Sequence, residues 1–517
     1  MPRKSFLAII MATLLGVMTF SLGAVDAHAA EAKRGGTLRI GYWQDMTGMD
    51  PHLSGGIPAV YVMQNLFQTL VTLDEEMGFV PELATSWDIL DDGRTYLFHL
   101  RQGVRFHDGT PFDAQAVQWN FERLLTPDEA VLMRGYFASV DKVEAVDAHT
   151  VKVSLKHPDQ TVLSALASYA LAGFMMVSPT AYQQWGKREL RLHPAGTGPF
   201  KFSKWEQNHV IILERNPDYW KPGRPYLDRL EFKIIKEGVT RATALRRGEI
   251  DFANRLPVEQ IGLVDKDAKI RVHKGPDMAL VYTNFNLSRK PFDDIRVRQA
   301  VAGYGLNREE IAKATFLGHA RPLTSMIPPG ARGHVDFPER YSYDPVRAKA
   351  LLKEAGFDER HPLRYTLLAN PFNVTVATIM KSQLAKIGVE MTVDVPDHPA
   401  FIKRQLSGEF DQQLTQSYPF IDVGERLRIF MTKGSGGLDL AMANDGQVDA
   451  LVDRYRRAQD PTSAQERAEA VLRYVADQAQ FLGLTTIPFF DAAREEVKGF
   501  RFRRHLKVEF ETVWLEH

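Results

Sequence analysis

Apolar and polar residues alternate after Gly35, with Leu38 and Ile40 between polar neighbours, and this predicts an opening strand. Asp50-Pro51 breaks it, and Val62, Leu66, Phe67 and Leu70 then fall at helical spacing. Residues 87–106 read as a hairpin region. Asp92-Gly93 supplies a tight turn, Tyr96, Phe98 and Leu100 alternate after it, and Asp108-Gly109 makes a second turn. Asp113 is placed to cap a helix whose Val117, Phe121 and Leu124 share a face, and Val151, Val153 and Leu155 predict another strand. Further on, Asp294 precedes a helix with Val297, Ala300, Val301 and Tyr304 on one stripe. Asp344-Pro345 opens another that Gly356 ends. Ser463 and Glu466 have the spacing of a capping box before Ala468, Val471, Leu472, Val475 and Ala479, and residues 485–490 read as a late strand. Strands and helices mix throughout, with no internal repeat, which predicts an α/β fold.

At 517 residues, 44% hydrophobic and 25% charged, the chain is long enough for two or three domains. Lys plus Arg and Asp plus Glu each number 64, so no global field attracts nucleic acid or an anionic membrane, and neither partner is expected. Cysteine is absent, which excludes disulfides, thiol nucleophiles, thiolate metal sites and a lipid anchor on an N-terminal cysteine. The first thirty residues differ from the rest. Arg3 and Lys4 precede an apolar run that ends near Val25, and Ala27-His28-Ala29 follows. This matches a secretory signal cut after Ala29, with a retained membrane anchor as the alternative.

Strings in a fixed order carry a resemblance. They are Gly36-Thr-Leu-Arg-Ile, Met49-Asp-Pro-His52, Pro81-Glu-Leu-Ala-Thr-Ser-Trp87, Asp92-Gly-Arg-Thr-Tyr-Leu-Phe-His-Leu-Arg-Gln-Gly103 and Phe106-His-Asp-Gly-Thr-Pro-Phe112. Gly196-Thr-Gly-Pro-Phe200, Arg215-Asn-Pro-Asp-Tyr-Trp220, Gly248-Glu-Ile-Asp251 and Asp294-Ile-Arg-Val-Arg-Gln-Ala300 continue them. Together they resemble the dipeptide, oligopeptide and nickel-binding family of ABC-importer solute-binding proteins, family 5. The resemblance implies a two-lobed periplasmic binding protein of the Venus-flytrap kind, with an extra subdomain inserted in the first lobe. It places the first lobe at residues 30–65, 190–275 and 483–517, the insertion at 66–189 and the second lobe at 276–482, after a signal peptide at 1–29. A small-molecule ligand, peptide or peptide-like, is then enclosed between the lobes and passed to ABC permease and ATPase subunits. The protein is expected as a monomer in the periplasm, exported and not lipidated, with no cofactor. Opines, sugars, aromatics and metal chelates are also carried by such relatives.

In peptide-binding members an aspartate of the second lobe receives the peptide amino group, shortly after a string that Gly408-Glu-Phe-Asp411 matches here. Phe420 stands where that aspartate is expected, Asp422 follows two positions later, and Gln416-Ser417 replaces the usual Gly-Trp pair. The segment that would bring an arginine to the ligand carboxylate, 370–380, contains none. Tyr418, Phe420, Asn370 and Asn373 would suit an apolar or aromatic ligand with neutral hydrogen-bonding groups, and Asp422, Glu425 and Arg426 would add charge recognition. From the first lobe come Met49, Leu53 and Tyr169. Asn284 and Asn286 face either the cleft or a neighbouring strand, where asparagines satisfy backbone groups.

Two other readings stand beside this one. An exported hydrolase lacks a Gly-x-Ser-x-Gly elbow or a His-Glu-x-x-His motif, and His99 and His107 read as hairpin residues. Nickel or metal-chelate capture lacks a preformed histidine pair, with His361 and His398 read as loop residues.

Overall fold

The computed structural model describes residues 32–53, 56–127, 129, 134–167, 174–338, 340–417, 420, 422–503 and 507–516. Two mixed sheets dominate it. The first is seven-stranded, in the order Ile270–Lys274, Phe490–Arg494, Phe252–Ala253, Thr37–Tyr42, Arg229–Ile234, Val210–Arg215 and Phe200–Glu206. The opening strand Thr37–Tyr42 runs parallel to both of its neighbours. Leu38, Ile40 and Tyr42 share its buried face, while Thr37 and Arg39 on the other are only partly covered, which explains the alternation in the sequence.

The second sheet is five-stranded, in the order Glu390–Asp394, Arg364–Ala369, Gln412–Gln416, Leu280–Phe285 and Phe481–Thr486. Arg364–Ala369 is parallel to both neighbours. A third, antiparallel sheet of four strands lies between residues 84 and 155, with the hairpin turn at Asp91–Gly93 where Asp91, Asp92 and Gly93 all take left-handed φ.

The chain crosses between the two large sheets twice, at 275–279 and 487–489. The crossings are hydrogen-bonded side by side, Gly275 N to Phe489 O at 2.8 Å and Ile487 N to Ala279 O at 2.9 Å. The late strand expected at 485–490 is therefore two strands, Phe481–Thr486 in the second sheet and Phe490–Arg494 in the first, because Pro488 has no N–H to give to a ladder. The return expected at residue 483 falls inside a strand of the second sheet.

Local chemistry decides most helix ends. Asp113, Asp294 and Asp344 accept from Ala116 N, Arg296 N and Arg347 N as expected, and Gly356 takes φ 92° past the end of Pro345–Glu354. Two expectations are corrected. The helix expected through Leu70 stops at Met63: Asn65 Nδ2 donates to the Tyr61 carbonyl while the Asn65 N–H bonds Val62 O, and the Gln64 and Asn65 side chains accept from Val508 N and Phe510 N. The last long helix begins one turn before Ser463: Asp460 caps it by accepting from Ser463 N, and Pro461 occupies the first position.

The strings that carried the resemblance are structural. Asp50 makes a bidentate pair with Arg123 at 3.2 and 2.5 Å, both side chains almost wholly buried, and Arg123 lies 4.7 Å from the Tyr182 ring and 3.4 Å from Glu129. His52 stacks on Phe174, and burial, then the Arg123 charge, holds its imidazole down at about 4. Burial does the same to His107, which bonds Gly198 O and Gly196 N. Gly196 and Gly198 pass so close to the Leu66 backbone that a Cβ on either would collide with it.

Candidate functional site

In sheets with parallel strands, ligands gather outside the carboxyl ends of those strands. Three such ends converge here. Trp43 follows the strand Thr37–Tyr42, Asn370 follows Arg364–Ala369, and Ser417 follows Gln412–Gln416. All three line one open cleft of about 530 Å³ between the two large sheets. Its first face is built from Trp43 to Thr47, Pro58, Ala59 and Arg255. Its second carries Tyr282, Asn370, Phe372, His398, Ile402, Gln405, Thr415, Gln416, Ser417 and Arg426.

The first face is rigid. Arg255 has φ 49°, a left-handed conformation that costs a non-glycine residue about 1 kcal/mol or more. Three bonds hold it there. Its N–H donates to Asp491 Oδ1 at 2.7 Å, Asn254 Nδ2 donates to the same oxygen, and its carbonyl accepts from Arg241 at 2.8 Å. Burial pushes the Asp491 carboxyl up to about 7 and the Arg241 guanidinium down to about 10. So fixed, the Arg255 side chain lies 5.0 Å from the Trp43 ring and 4.4 Å from that of Phe489. Asp45 is already occupied, accepting from Trp205 Nε1, Asn208 N and Met46 N.

The second face mixes amides, hydroxyls and exposed apolar surface. Asn370 Oδ1 accepts from Phe372 N at 3.1 Å, Gln405 donates to Gln413, and Ser417 Oγ accepts from Leu280 N. Phe372 is 64% exposed and tilts against His398, so its ring offers apolar area to an incoming molecule. Arg426 lies 4.4 Å from the Tyr282 ring and 5.6 Å from that of Phe420.

A cleft between two sheets, roofed by aromatics and floored by amides, is the geometry of a receptor for small solutes, and the comparisons agree. Residues 78–436 match the model of the bacterial extracellular solute-binding proteins, family 5. The chain belongs to this family. The glutathione-binding protein GsiB of Shigella dysenteriae is 34% identical over 386 residues, covering 74% of this chain and 73% of that protein. Among solved structures, the periplasmic binding protein DppA from Helicobacter pylori, in complex with peptide STSA, has a TM-score of 0.81 at 26% identity, covering 94% of this chain and 99% of that one. The binding protein AgaA from A. tumefacien R10, in complex with agropinic acid, has the same TM-score and identity over 93% and 99%. This family-5 protein is thus the solute-binding component of an ABC importer, working with permease and ATPase subunits, and its relatives are binding proteins of transporters.

The candidate residues separate sharply. Asn370 and Arg426 line the cleft of this family-5 protein. Asn373 is buried beside Asn370, and Phe420 is buried behind Arg426. Asp422 points elsewhere. It caps the short helix Val423–Leu427 by accepting from Gly424 N and Glu425 N, takes the Ser164 hydroxyl, and lines a second cavity against the four-stranded sheet. Met49 is in the first-lobe core, and the Leu53 N–H closes a turn on Asp50; Met46 and Thr47 reach the cleft in their place. Asn284 and Asn286 take the structural role, donating to Leu440 O at 2.7 Å and Gly408 O at 2.9 Å. Tyr418 and Tyr169 lie outside the described residues. Sequence reasoning missed Trp43, Arg255, Tyr282, Phe372 and Gln405. Trp43 was within reach, since it directly follows the predicted opening strand.

Proposed function

We propose that this protein captures a small organic solute, peptide or peptide-like, in the cleft between Trp43 and Arg255 on one side and Tyr282, Asn370, Phe372 and Arg426 on the other. The observation that carries the reading is the convergence of three strand ends from two sheets on a single cavity of about 530 Å³, large enough for a small peptide. The names of relatives that bind glutathione, the peptide STSA and agropinic acid support a ligand of that size. The protein performs no covalent chemistry on it.

Two lobes carry the cleft, with the four-stranded sheet as the insertion in the first and the paired crossings at 275–279 and 487–489 as the hinge. Closure removes the solute from water, and each Å² of apolar surface covered contributes roughly 25 cal/mol. Residues 1–29 are the secretory signal and the mature protein works in the periplasm; among the described residues no helix is long and apolar enough to cross a membrane. The test is native mass spectrometry of protein purified from its own host, followed by thermal-shift screening of the released compound. A bound small molecule that raises the midpoint is expected. A protein that carries none and responds to no solute would refute the reading, and turnover of the released compound would refute the absence of chemistry.

A further inference from the structure

The charged groups around the second face of the cleft are unevenly satisfied. Asp422 is consumed by its cap and by Ser164. Glu425 is buried and does not line the cleft either. Arg426 is different. Only 8% of it is exposed, its flat face is covered by Tyr282 and Phe420, its Nε and Nη2 are buried without a hydrogen-bond partner, and the residue lines the cleft. A buried guanidinium whose donors are unmet is costly, and aromatic stacking leaves its edge as the only side that can be satisfied. That edge is a fork of parallel N–H donors, the shape of a carboxylate.

We propose that the solute carries a carboxylate, bound edge-on by Arg426, and that it needs no free amino group, because among the described residues that line the second face none is acidic. The proposal rests on the solute-binding reading above and narrows it to an anionic ligand class. It also accounts for a departure noted in the sequence. The position where peptide-binding relatives place the amine-binding aspartate holds Phe420, whose ring here supports the arginine.

The experiment compares wild type with Arg426→Gln, both freed of ligand by unfolding and refolding. Each is screened by thermal shift and titration calorimetry against N-acetylated peptide acids, glutathione, and the same peptides as free-amine C-terminal amides. Acids are expected to raise the wild-type midpoint and amides are not. Arg426→Gln is expected to bind the acids at least about tenfold more weakly, the loss of a charge-assisted pair. Without ligand it should melt no lower than wild type, because the substitution removes an unpaired buried charge; a purely structural arginine would instead lower that midpoint and sink the proposal. Amides that bind in preference to acids, or acids held equally by both proteins, also overturn it. If no probe binds, the compound released from natively purified protein decides. A carboxylate-bearing molecule that Arg426→Gln fails to retain supports the proposal, and a molecule without an acid group refutes it while leaving solute binding intact. Absence of any bound molecule refutes both.

Discussion

Replacing Asp50 by asparagine tests how the opening segment is fastened to the helix Ala114–Leu125 that carries Arg123. The Asp50 side chain is 0% exposed and that of Arg123 is 3%, and they meet at 2.5 and 3.2 Å. Asparagine keeps the shape and one acceptor but leaves the guanidinium uncompensated in a dry site. Breaking a buried pair from one side costs about 3–5 kcal/mol. Arg123 retains Glu129 at 3.4 Å, so the lower end applies. For a cooperative unit of roughly 150–250 residues, each kcal/mol moves the midpoint by about 2–4 °C, which gives a fall of about 6–12 °C. The assay is thermal unfolding followed by circular dichroism, with urea midpoints as a second measure. Removing both charges in Asp50→Asn/Arg123→Met should restore at least half of the loss, since no buried charge then remains unpaired. A shift under about 2 °C in the single variant, or a double variant that loses the full sum of both singles, would refute the reasoning.

Three further outcomes are expected. Trp43→Ala should weaken binding of the co-purified solute roughly tenfold or more by calorimetry, because aromatic anchors dominate such sites. Ser164→Ala should weaken it by roughly fivefold to tenfold without touching the cleft, since the Ser164 to Asp422 bond ties the helix Thr161–Ala167 to the cap of Val423–Leu427, the helix that carries Arg426; unchanged affinity would refute that link to binding. Asp491→Asn tests the buried acid beneath Arg255. With its carboxyl pushed up to about 7, the folded protein keeps a proton that the unfolded chain releases near pH 4, so this residue lowers stability as pH rises through that window. His52 and His107, held at about 4, act oppositely between about 4 and 6.5 and equally in both proteins. The midpoint of Asp491→Asn minus that of wild type should therefore climb from pH 5 to about 7 and level off above it; a flat difference from pH 5 to 7 would contradict a proton on Asp491.

Much of the scaffold was legible because it is set locally. Asp113, Asp294 and Asp344 cap the helices they precede, and the alternating Tyr96, Phe98 and Leu100 mark a strand in both sequence and structure. Where reading failed, a distant partner won. The Gln64 and Asn65 side chains, just past the helix end, bond residues 508 and 510, more than four hundred positions away. The cleft was harder for the same reason, since Trp43, Arg255, Tyr282, Asn370 and Arg426 meet only after both sheets form. Asp422 shows the same competition. Its charge and position suggested a ligand contact, but its spacing before Gly424 and Glu425 is that of a helix cap, and the backbone N–H groups claimed it.

The strand Phe490–Arg494 sits inside the seven-stranded sheet, between Ile270–Lys274 and Phe252–Ala253, whereas the strands of the five-stranded sheet all come from one continuous stretch, 280–486. As the ribosome lengthens the chain, the second lobe has every strand it needs before the first does. The half that emerges earliest is completed last, its sheet left with an open slot until residues 490–494 have been made.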